Sequence, residues 1–405
     1  MKKTPAELRH RLKELVAEET PRAVALRRQL HTLPELCYQE FATSACIRGA
    51  LDDAGITHAD GLAGGTGTLA FLPGASASAV GLRADIDGLP IIEENGAAWK
   101  SLSAGRMHAC GHDGHTAILL GAARVLNRLG TEATLPNPVR FIFQPAEEGG
   151  SGGLRMVEDG ALDVHRCGPA VRRIYGLHNF PGLALGTLST RCGALFASSD
   201  RYEITVQGQA AHAAWPHHSH DPIVAASAIV LALQTIVSRE IDPVDAGVVS
   251  TTMFHAGTAT NQIGSSAVLQ GTARALLDST RQHIKTRVTE VAVAIAHAHR
   301  CEAHVRYFDG YPVTRNDDSA VAEFERIVKN ELPTQHFAHM TAPVMGGEDF
   351  AYYAEKIPAC FYLLGMEDGH WKSARLHQPT YDFNDAALSH GIEAMAMLAL
   401  ADRAT

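Results

Sequence analysis

The chain has 405 residues, which at roughly 150 residues per domain suggests two or three domains. Lys and Arg number 35 against 44 Asp and Glu, a net charge of −9, with 46% hydrophobic and 20% charged residues. Such a chain can bury a full core without disulfides, is too apolar to be disordered, and has no electrostatic reason to bind nucleic acid or an anionic membrane.

In chain order, residues 5–31 read as one long helix, with Leu8, Leu12, Leu15 and Val16 on one face. A second helix near 40–54 ends at Gly55, a natural C-cap. Strands follow at 68–72 and 80–84, a helix at 115–129, a strand at 139–143, a short helix at 152–159 and a strand at 174–178. Strands separated by helices predict an α/β unit. The pattern changes near residue 190. A strand (200–207), a helix (221–240), two strands (248–254, 267–275), a helix (279–299) and a strand (303–308) give the order β-α-β-β-α-β of a ferredoxin-like sandwich. The α/β style resumes with a helix at 318–330, a strand at 360–364 and a last helix near 385–402. The expected organisation is a discontinuous domain, 1–189 and 306–405, with an insertion at 190–305.

The longest apolar run, Ile223–Val237, is interrupted by Ser, Gln and Thr and reads as too short to span a bilayer. Residues 1–24 are charged and amphipathic, unlike a signal peptide. The seven cysteines are widely spaced without a C-x-x-C pair, which favours a reducing compartment over a disulfide framework. Together these predict a cytoplasmic protein. The 22 histidines make a metal or proton-transfer site worth seeking.

The densest cluster is Met107-His-Ala-Cys-Gly-His-Asp-Gly-His115. Cys110 and His112 are two apart, so an extended segment would turn both to one side, and thiolate and imidazole both ligate zinc-like ions. Asp113 and His115 then open the next helix, beside the ligands. Cys110 as a nucleophile with a His base is a separate reading. Phe141-Ile-Phe-Gln-Pro-Ala-Glu-Glu148 is a buried strand running into adjacent carboxylates. A nearby cation would relieve their repulsion, with one binding metal and the other moving a proton. His178 ends another apolar strand, and Asp85 and Asp87 follow a third. Asp85, Cys110, Glu147, Glu148 and His178 thus converge on the strand-end crevice where α/β sheets place their sites. In the insertion, His212 lies in a small-residue loop after a strand. Asn261 is a candidate oxyanion donor and Arg274 a candidate carboxylate fork. Trp215 reads equally as lining an aromatic acyl pocket or as a packing residue.

Taken in order, Arg83-Ala-Asp-Ile-Asp-Gly-Leu-Pro90, Met107-His-Ala-Cys-Gly-His-Asp-Gly-His-Thr116, Phe143-Gln-Pro-Ala-Glu-Glu-Gly-Gly150, Gly176-Leu-His-Asn-Phe-Pro181, Gly208-Gln-Ala-Ala-His-Ala-Ala-Trp-Pro216, His255-Ala-Gly-Thr-Ala-Thr-Asn261, Gly346-Gly-Glu-Asp-Phe-Ala-Tyr-Tyr353 and Leu376-His-Gln-Pro-Thr-Tyr-Asp-Phe-Asn-Asp385 resemble the metal-dependent amidohydrolases related to aminoacylases and carboxypeptidase G. The branch is that of hippurate hydrolases and indole-acetyl-amino-acid hydrolases. The resemblance spans about residues 25–395. It implies a mixed-sheet α/β catalytic domain with two divalent metal ions (Mn, Zn or Co) and an inserted ferredoxin-like α+β lid that dimerises, giving a homodimer or tetramer. It also implies hydrolysis of the amide bond of a small N-acyl amino acid. By the same resemblance Cys110, His112, Glu148, His178 and His377 are metal ligands, and Glu147 is the general base that activates a metal-bound water. His212 and Asn261 are lid groups that reach substrate, and Arg274 is a further substrate contact. Asp85, Asp87 and Asp113 support the ligands. Two features depart from many relatives: Asp85 stands where those outside this branch carry His, and Gly264 stands where a Pro often follows the Ile. A metal-stabilised binding protein without catalysis is the non-enzyme alternative, and the intact Glu147–Glu148 pair speaks against it.

Overall fold

The structure is a computed structural model that describes residues 5–164, 166–369, 371 and 374–403. The chain divides into two compact units. The first comprises the chain up to Leu195, Arg315–Ala342 and Asp349 onward, and the second comprises Phe196–Thr314 with Pro343–Glu348. The sequence boundary at 305 falls inside a strand, Glu302–Tyr311, whose ladder keeps those residues with the inserted unit.

The first unit begins with α1 (Pro5–His31) and α2 (Phe41–Asp53). There follow β1 (Thr57–Leu62), β2 (Gly67–Leu72), β3 (Ala79–Asp85), α3 (His112–Glu132), β4 (Val139–Gln144), α4 (Gly152–Glu158), β5 (Val171–Ala184) and β6 (Thr187–Thr190). The insertion supplies β7 (Ser199–Gln207), α5 (Pro222–Thr235), β8 (Gly247–Ala256), β9 (Ser266–Ala275), α6 (Asp278–Ala298) and β10 (Glu302–Tyr311). The chain then returns through α7 (Asp318–Glu331), β11 (His336–His339), β12 (Ala359–Glu367) and α8 (Ala387–Ala401).

Eight strands of the first unit form one sheet in the order β1-β2-β4-β3-β5-β12-β6-β11. The sheet is mixed: β4-β3-β5-β12 are parallel neighbours, while β1 with β2, β2 with β4 and β12 with β6 are antiparallel. β3 and β4 are buried along their whole length, as near-continuous apolar strands in a sheet covered on both faces should be. Each nevertheless carries a fully buried arginine, and the terminal nitrogens of Arg140 donate to the carbonyls of Ala161, Gly168 and Pro169 at 2.8–3.0 Å. Leu12, Leu15 and Val16 of α1, Leu119 and Leu126 of α3, and Met395 and Leu398 of α8 share one core with Leu82, Phe141 and Tyr175 of the strands.

The inserted unit is a four-stranded antiparallel sheet, β8-β9-β7-β10, backed by α5 and α6, which is the ferredoxin-like arrangement. Its core includes Ile204, Val206, Ile229, Leu233, Leu269, Ile284 and Val288. Asp221 caps α5 by accepting from the Ile223 and Val224 amides, with Pro222 at the first position. A π-helical turn, Ile236–Glu240, prolongs α5. The continuous helix Pro222–Glu240 has 19 residues, so by length and composition it is long and apolar enough to cross a membrane. This corrects the shorter span read from the sequence. Its Ala225, Ala226, Ile229, Leu233 and Ile236 are buried in the unit's own core.

Candidate metal centre

The site gathers at the side of the sheet where the parallel strands β3, β4 and β5 run out. Asp85 closes β3 and Asp87 follows it; Glu147 and Glu148 lie just past β4. His178 differs from the sequence expectation: β5 continues to Ala184, so His178 sits within the strand. Cys110 and His112 also come together differently. Gly111 takes a left-handed φ of 91°, and His112 is the first residue of α3 rather than part of an extended run. A Cβ on Gly111 would lie 2.2 Å from the Asn179 amide, so the turn needs glycine on two counts.

Two groups of donors share the Cys110 sulfur. Cys110, His112 and His178 offer ligand atoms all within 4.8 Å of one another, and so do Cys110, Glu148 and His377. Cys110 Sγ is 3.3 Å from Nε2 of both His178 and His377, and His377 Nε2 is 3.2 Å from Glu148 Oε1. Glu147 joins His112 and Glu148 in a third such group. All six residues that the resemblance places in the catalytic domain's centre therefore lie together. His377, half-exposed and at a left-handed φ of 64°, is anchored by its amide to the Ala109 carbonyl at 2.8 Å.

Hydrogen bonds orient the imidazoles. His178 Nδ1 lies 2.6 Å from the Asn179 carbonyl and must donate to it, which leaves Nε2 with its lone pair toward Cys110. His112 Nδ1 meets Asp87 Oδ1 at 3.2 Å, and its buried Nε2 makes no hydrogen bond among the described residues. Both are the pattern of a ligating histidine held by its other nitrogen. His115 is different. Its Nδ1 faces Asp85 at 2.6 Å and its Nε2 accepts the Asn179 amide at 2.9 Å, so both nitrogens are engaged. Asp85 in turn takes Arg83 at 2.8 Å, and Arg83 reaches Asp349 at 2.8 Å. The other oxygen of Asp87 accepts the Glu148 amide at 2.9 Å, so one carboxylate holds both a ring and the carboxylate loop. Asp113 pairs with Arg27 at 2.8 Å and His31 at 2.7 Å, on the far side of α3's first turn.

The electrostatics suit a cation. Burial, then Glu148, Glu147 and Asp85, push the Cys110 thiol well above its usual range. Burial and the neighbouring His115 hold His178 well below its usual value, as a neutral base. Burial opposes charge on His112 too, but Asp85 and Asp87 carry it up to about 10. A buried thiol among carboxylates, a neutral imidazole, and a His112 Nε2 without a hydrogen bond, 3.7 Å from Asp85 Oδ2, are donors a divalent ion of the zinc or manganese kind would satisfy, the ion taking the place of the proton on His112.

The insertion brings His212 and Asn261 together. His212 pairs with Gln262 across a short antiparallel ladder, and the Asn261 carbonyl accepts the Ala213 amide at 3.0 Å. Trp215 is exposed, with its ring centroid 4.9 Å from that of His212. Arg274 lies eight residues along β9 from Ser266, at the end away from that pair. Its guanidinium bonds to the Thr272 hydroxyl and, at 3.0 Å, to the Ala273 carbonyl.

Sequence reasoning passed over several residues that build the site: Glu40, Arg83, Gln144, Asn179 and Asp349. Asn179 was in view as a neighbour of His178. Arg83, Gln144 and Asp349 stand inside the motifs, but the bonds that join them link segments far apart in the chain, and Glu40 lies outside every motif.

A model of peptidase family M20/M25/M40 matches residues 81–401. The chain is 41% identical over 383 residues to IAA-amino acid hydrolase ILR1-like 2 of Arabidopsis thaliana, covering 93% of this chain and 84% of that protein. It is 38% identical over 367 residues to the N-acetyl-L-cysteine deacetylase of Bacillus subtilis, covering 90% and 84%. The solved structure of Bacillus subtilis YXEP, described as a dinuclear metal binding peptidase from the M20 family, matches with a TM-score of 0.80 at 34% identity, covering 95% of this chain and 98% of that one. With the match extending over most of its length and over the residues of the donor cluster, this chain belongs to peptidase family M20/M25/M40 and is a hydrolase of that family.

Proposed function

We propose that the protein hydrolyses the amide bond of N-acyl amino acids, of the N-acetyl, hippurate-like or indole-acetyl kind, with two divalent ions held by Cys110, His112, Glu148, His178 and His377. The observation that carries this reading is the pair of donor groups sharing Cys110 beside a further buried carboxylate, Glu147. Bound ions would lower the pKa of water and draw charge from the carbonyl oxygen. Glu147 is assigned to take a proton from the attacking water and return it to the leaving amine. His178 and His112 stay oriented through Asn179 and Asp87. The lid's His212 and Asn261 are assigned to substrate. The names of the two relatives, one acting on indole-acetyl and one on N-acetyl conjugates, support this substrate class.

The reading is tested by release of free amino acid from a panel of N-acetyl, benzoyl and indole-acetyl amino acids, with Mn²⁺, Zn²⁺ or Co²⁺ supplied. Turnover of at least one class is expected; none with any metal would overturn it. Glu147→Gln is expected to lower kcat by about 10³-fold or more with metal still bound. Near-normal turnover would remove Glu147 as the base. The thiol-nucleophile reading is disfavoured by the position of the Cys110 sulfur, which both donor groups share.

The same reading includes a homodimer through the inserted unit. Strand β8 is an edge of that sheet with Met253 and Phe254 exposed, and Ile223, Val224 and Leu231 are exposed on α5. Unpaired strand edges and apolar faces of this kind favour self-association. Sedimentation should give a dimer or tetramer, and Phe254→Lys should shift it toward monomer.

A further inference from the structure

We propose that Tyr38 and Glu40 form a clasp that aims the carboxylate loop, making both of them positioning residues for Glu147. Glu147 and Glu148 ride on a loop the chain does not adopt freely. Ala146 has φ 57° and Ser151 φ 56°, both left-handed without being glycine, and Gly149 stands at φ 91°. Such conformations persist only where surrounding structure over-determines them. Inside the loop, the Gly149 amide donates to the Glu147 carbonyl at 2.7 Å and the Gly152 amide to the Ala146 carbonyl at 3.1 Å.

Asp87 accepts the Glu148 amide at 2.9 Å, and further restraint comes from the turn between α1 and α2, more than a hundred residues earlier. Glu40 is fully buried, and its Oε1 accepts the Ala146 amide at 2.9 Å and the Tyr38 amide at 3.0 Å. Its other oxygen accepts the Thr66 hydroxyl at 3.0 Å. The Tyr38 hydroxyl donates to the Gly150 carbonyl at 2.6 Å, and the Arg155 guanidinium lies 4.2 Å over the Tyr38 ring. Tyr38 is itself left-handed, at φ 60°. The loop is thus gripped on both sides of its carboxylates, at Ala146 and at Gly150. The fit between turn and loop is close: a Cβ on Gly150 would lie 2.2 Å from Cys37 Sγ and 2.7 Å from the Ala146 Cβ. The Ala146 amide precedes Glu147 directly, so releasing it lets the strained φ relax and turns the Glu147 side chain. Misplacement of a reacting group by about 1 Å can cost on the order of 100-fold in rate.

The inference rests on the reading of Glu147 as the base, so Glu147→Gln is measured beside the clasp variants. The assay is kcat, KM, bound metal per chain and Tm of the full, metal-loaded protein on the N-acyl amino acid it turns over best. Glu40→Ala is expected to lower kcat by about 10- to 100-fold, with KM and metal content near those of the wild type. Glu40→Gln keeps an oxygen that accepts both amides and should recover most of that loss. Tyr38→Phe keeps the ring over Arg155, and a several-fold loss of kcat at nearly unchanged Tm is expected; it decides the matter if Glu40→Ala does not fold. The proposal is overturned if Glu40→Ala and Tyr38→Phe both turn over at wild-type kcat while Glu147→Gln is inactive. It is also overturned if activity falls only in step with lost metal, or if Glu40→Gln is no better than Glu40→Ala. Full activity in Glu147→Gln would instead remove the base, and the clasp would have nothing to aim.

Discussion

Single side chains in this protein take their roles from which of their atoms are already occupied. His112 and His115 are three apart on one helix and equally plausible as ligands by residue type. His115 spends both nitrogens on hydrogen bonds, to Asp85 and the Asn179 amide, whereas among the described residues His112 hydrogen-bonds through only one. Asp113 and His31 show the same logic away from the metal donors. His31 is fully buried between Asp113 at 2.7 Å and Glu93 at 3.2 Å, and Arg27 also pairs with Asp113. Burial opposes its charge, but Asp113 and Glu93 outweigh that and raise its pKa to about 9. A histidine whose folded pKa exceeds its unfolded value of about 6.5 stabilises fully below pH 6.5 and loses that contribution as pH rises through 9. The loss amounts to as much as about 3 kcal/mol. Urea unfolding across pH 6 to 9.5 should therefore show a decline in the wild type that His31→Gln flattens; parallel curves would sink the assignment.

At the level of elements, helix packing depends on missing side chains. Gly114 and Gly121 of α3 let that helix approach Phe383 and Ile392, while Gly391 of α8 admits Ile118. Replacing a helix-interior glycine by alanine normally gains about 1 kcal/mol. At Gly114 a Cβ would lie 2.3 Å from the Phe383 ring, so overpacking of about 1–3 kcal/mol should win. Gly114→Ala is expected to lower the urea midpoint, and an increase would show that the ring can move aside at little cost. Elements were legible where period and caps agree. α1, β3, β4 and the six main elements of the insertion all appear close to their expected places. The strands β1, β6 and β11 were not foreseen. β6 and β11 are four residues each, too short for a periodicity to register, and β1, Thr-His-Ala-Asp-Gly-Leu, lacks the apolar alternation of a strand and gains its order from pairing with β2.

For the whole molecule, the candidate metal donors come from segments spread from Cys110 to His377, so binding of an ion there would be tied to folding of the first unit. A metal bound by the native state alone stabilises by mass action, about 2.7 kcal/mol at a free concentration 100 times its Kd. Chelation is expected to lower Tm and abolish turnover, with both restored on adding Mn²⁺, Zn²⁺ or Co²⁺; a Tm indifferent to chelator and metal would count against the donor assignment.

The sequence by itself determined the chemistry at hand and the order of elements. Cys110, His112, the Glu147–Glu148 pair, His178 and His377 stand out by residue type and motif, and the β-α-β-β-α-β run shows where another unit interrupts the α/β pattern. Only the tertiary structure decided which donors share the Cys110 sulfur, which histidine keeps a nitrogen without a hydrogen bond, and that Asp87 serves a ring and a loop at once. It alone revealed Glu40 and Tyr38 beneath the Glu147 loop. The physical reason is that periodicity and capping are local, acting within a turn or two of the chain. A hydrogen bond from Ala146 to Glu40 or an ion pair from Arg83 to Asp349 is set by sheet order and burial, which no short stretch of sequence contains.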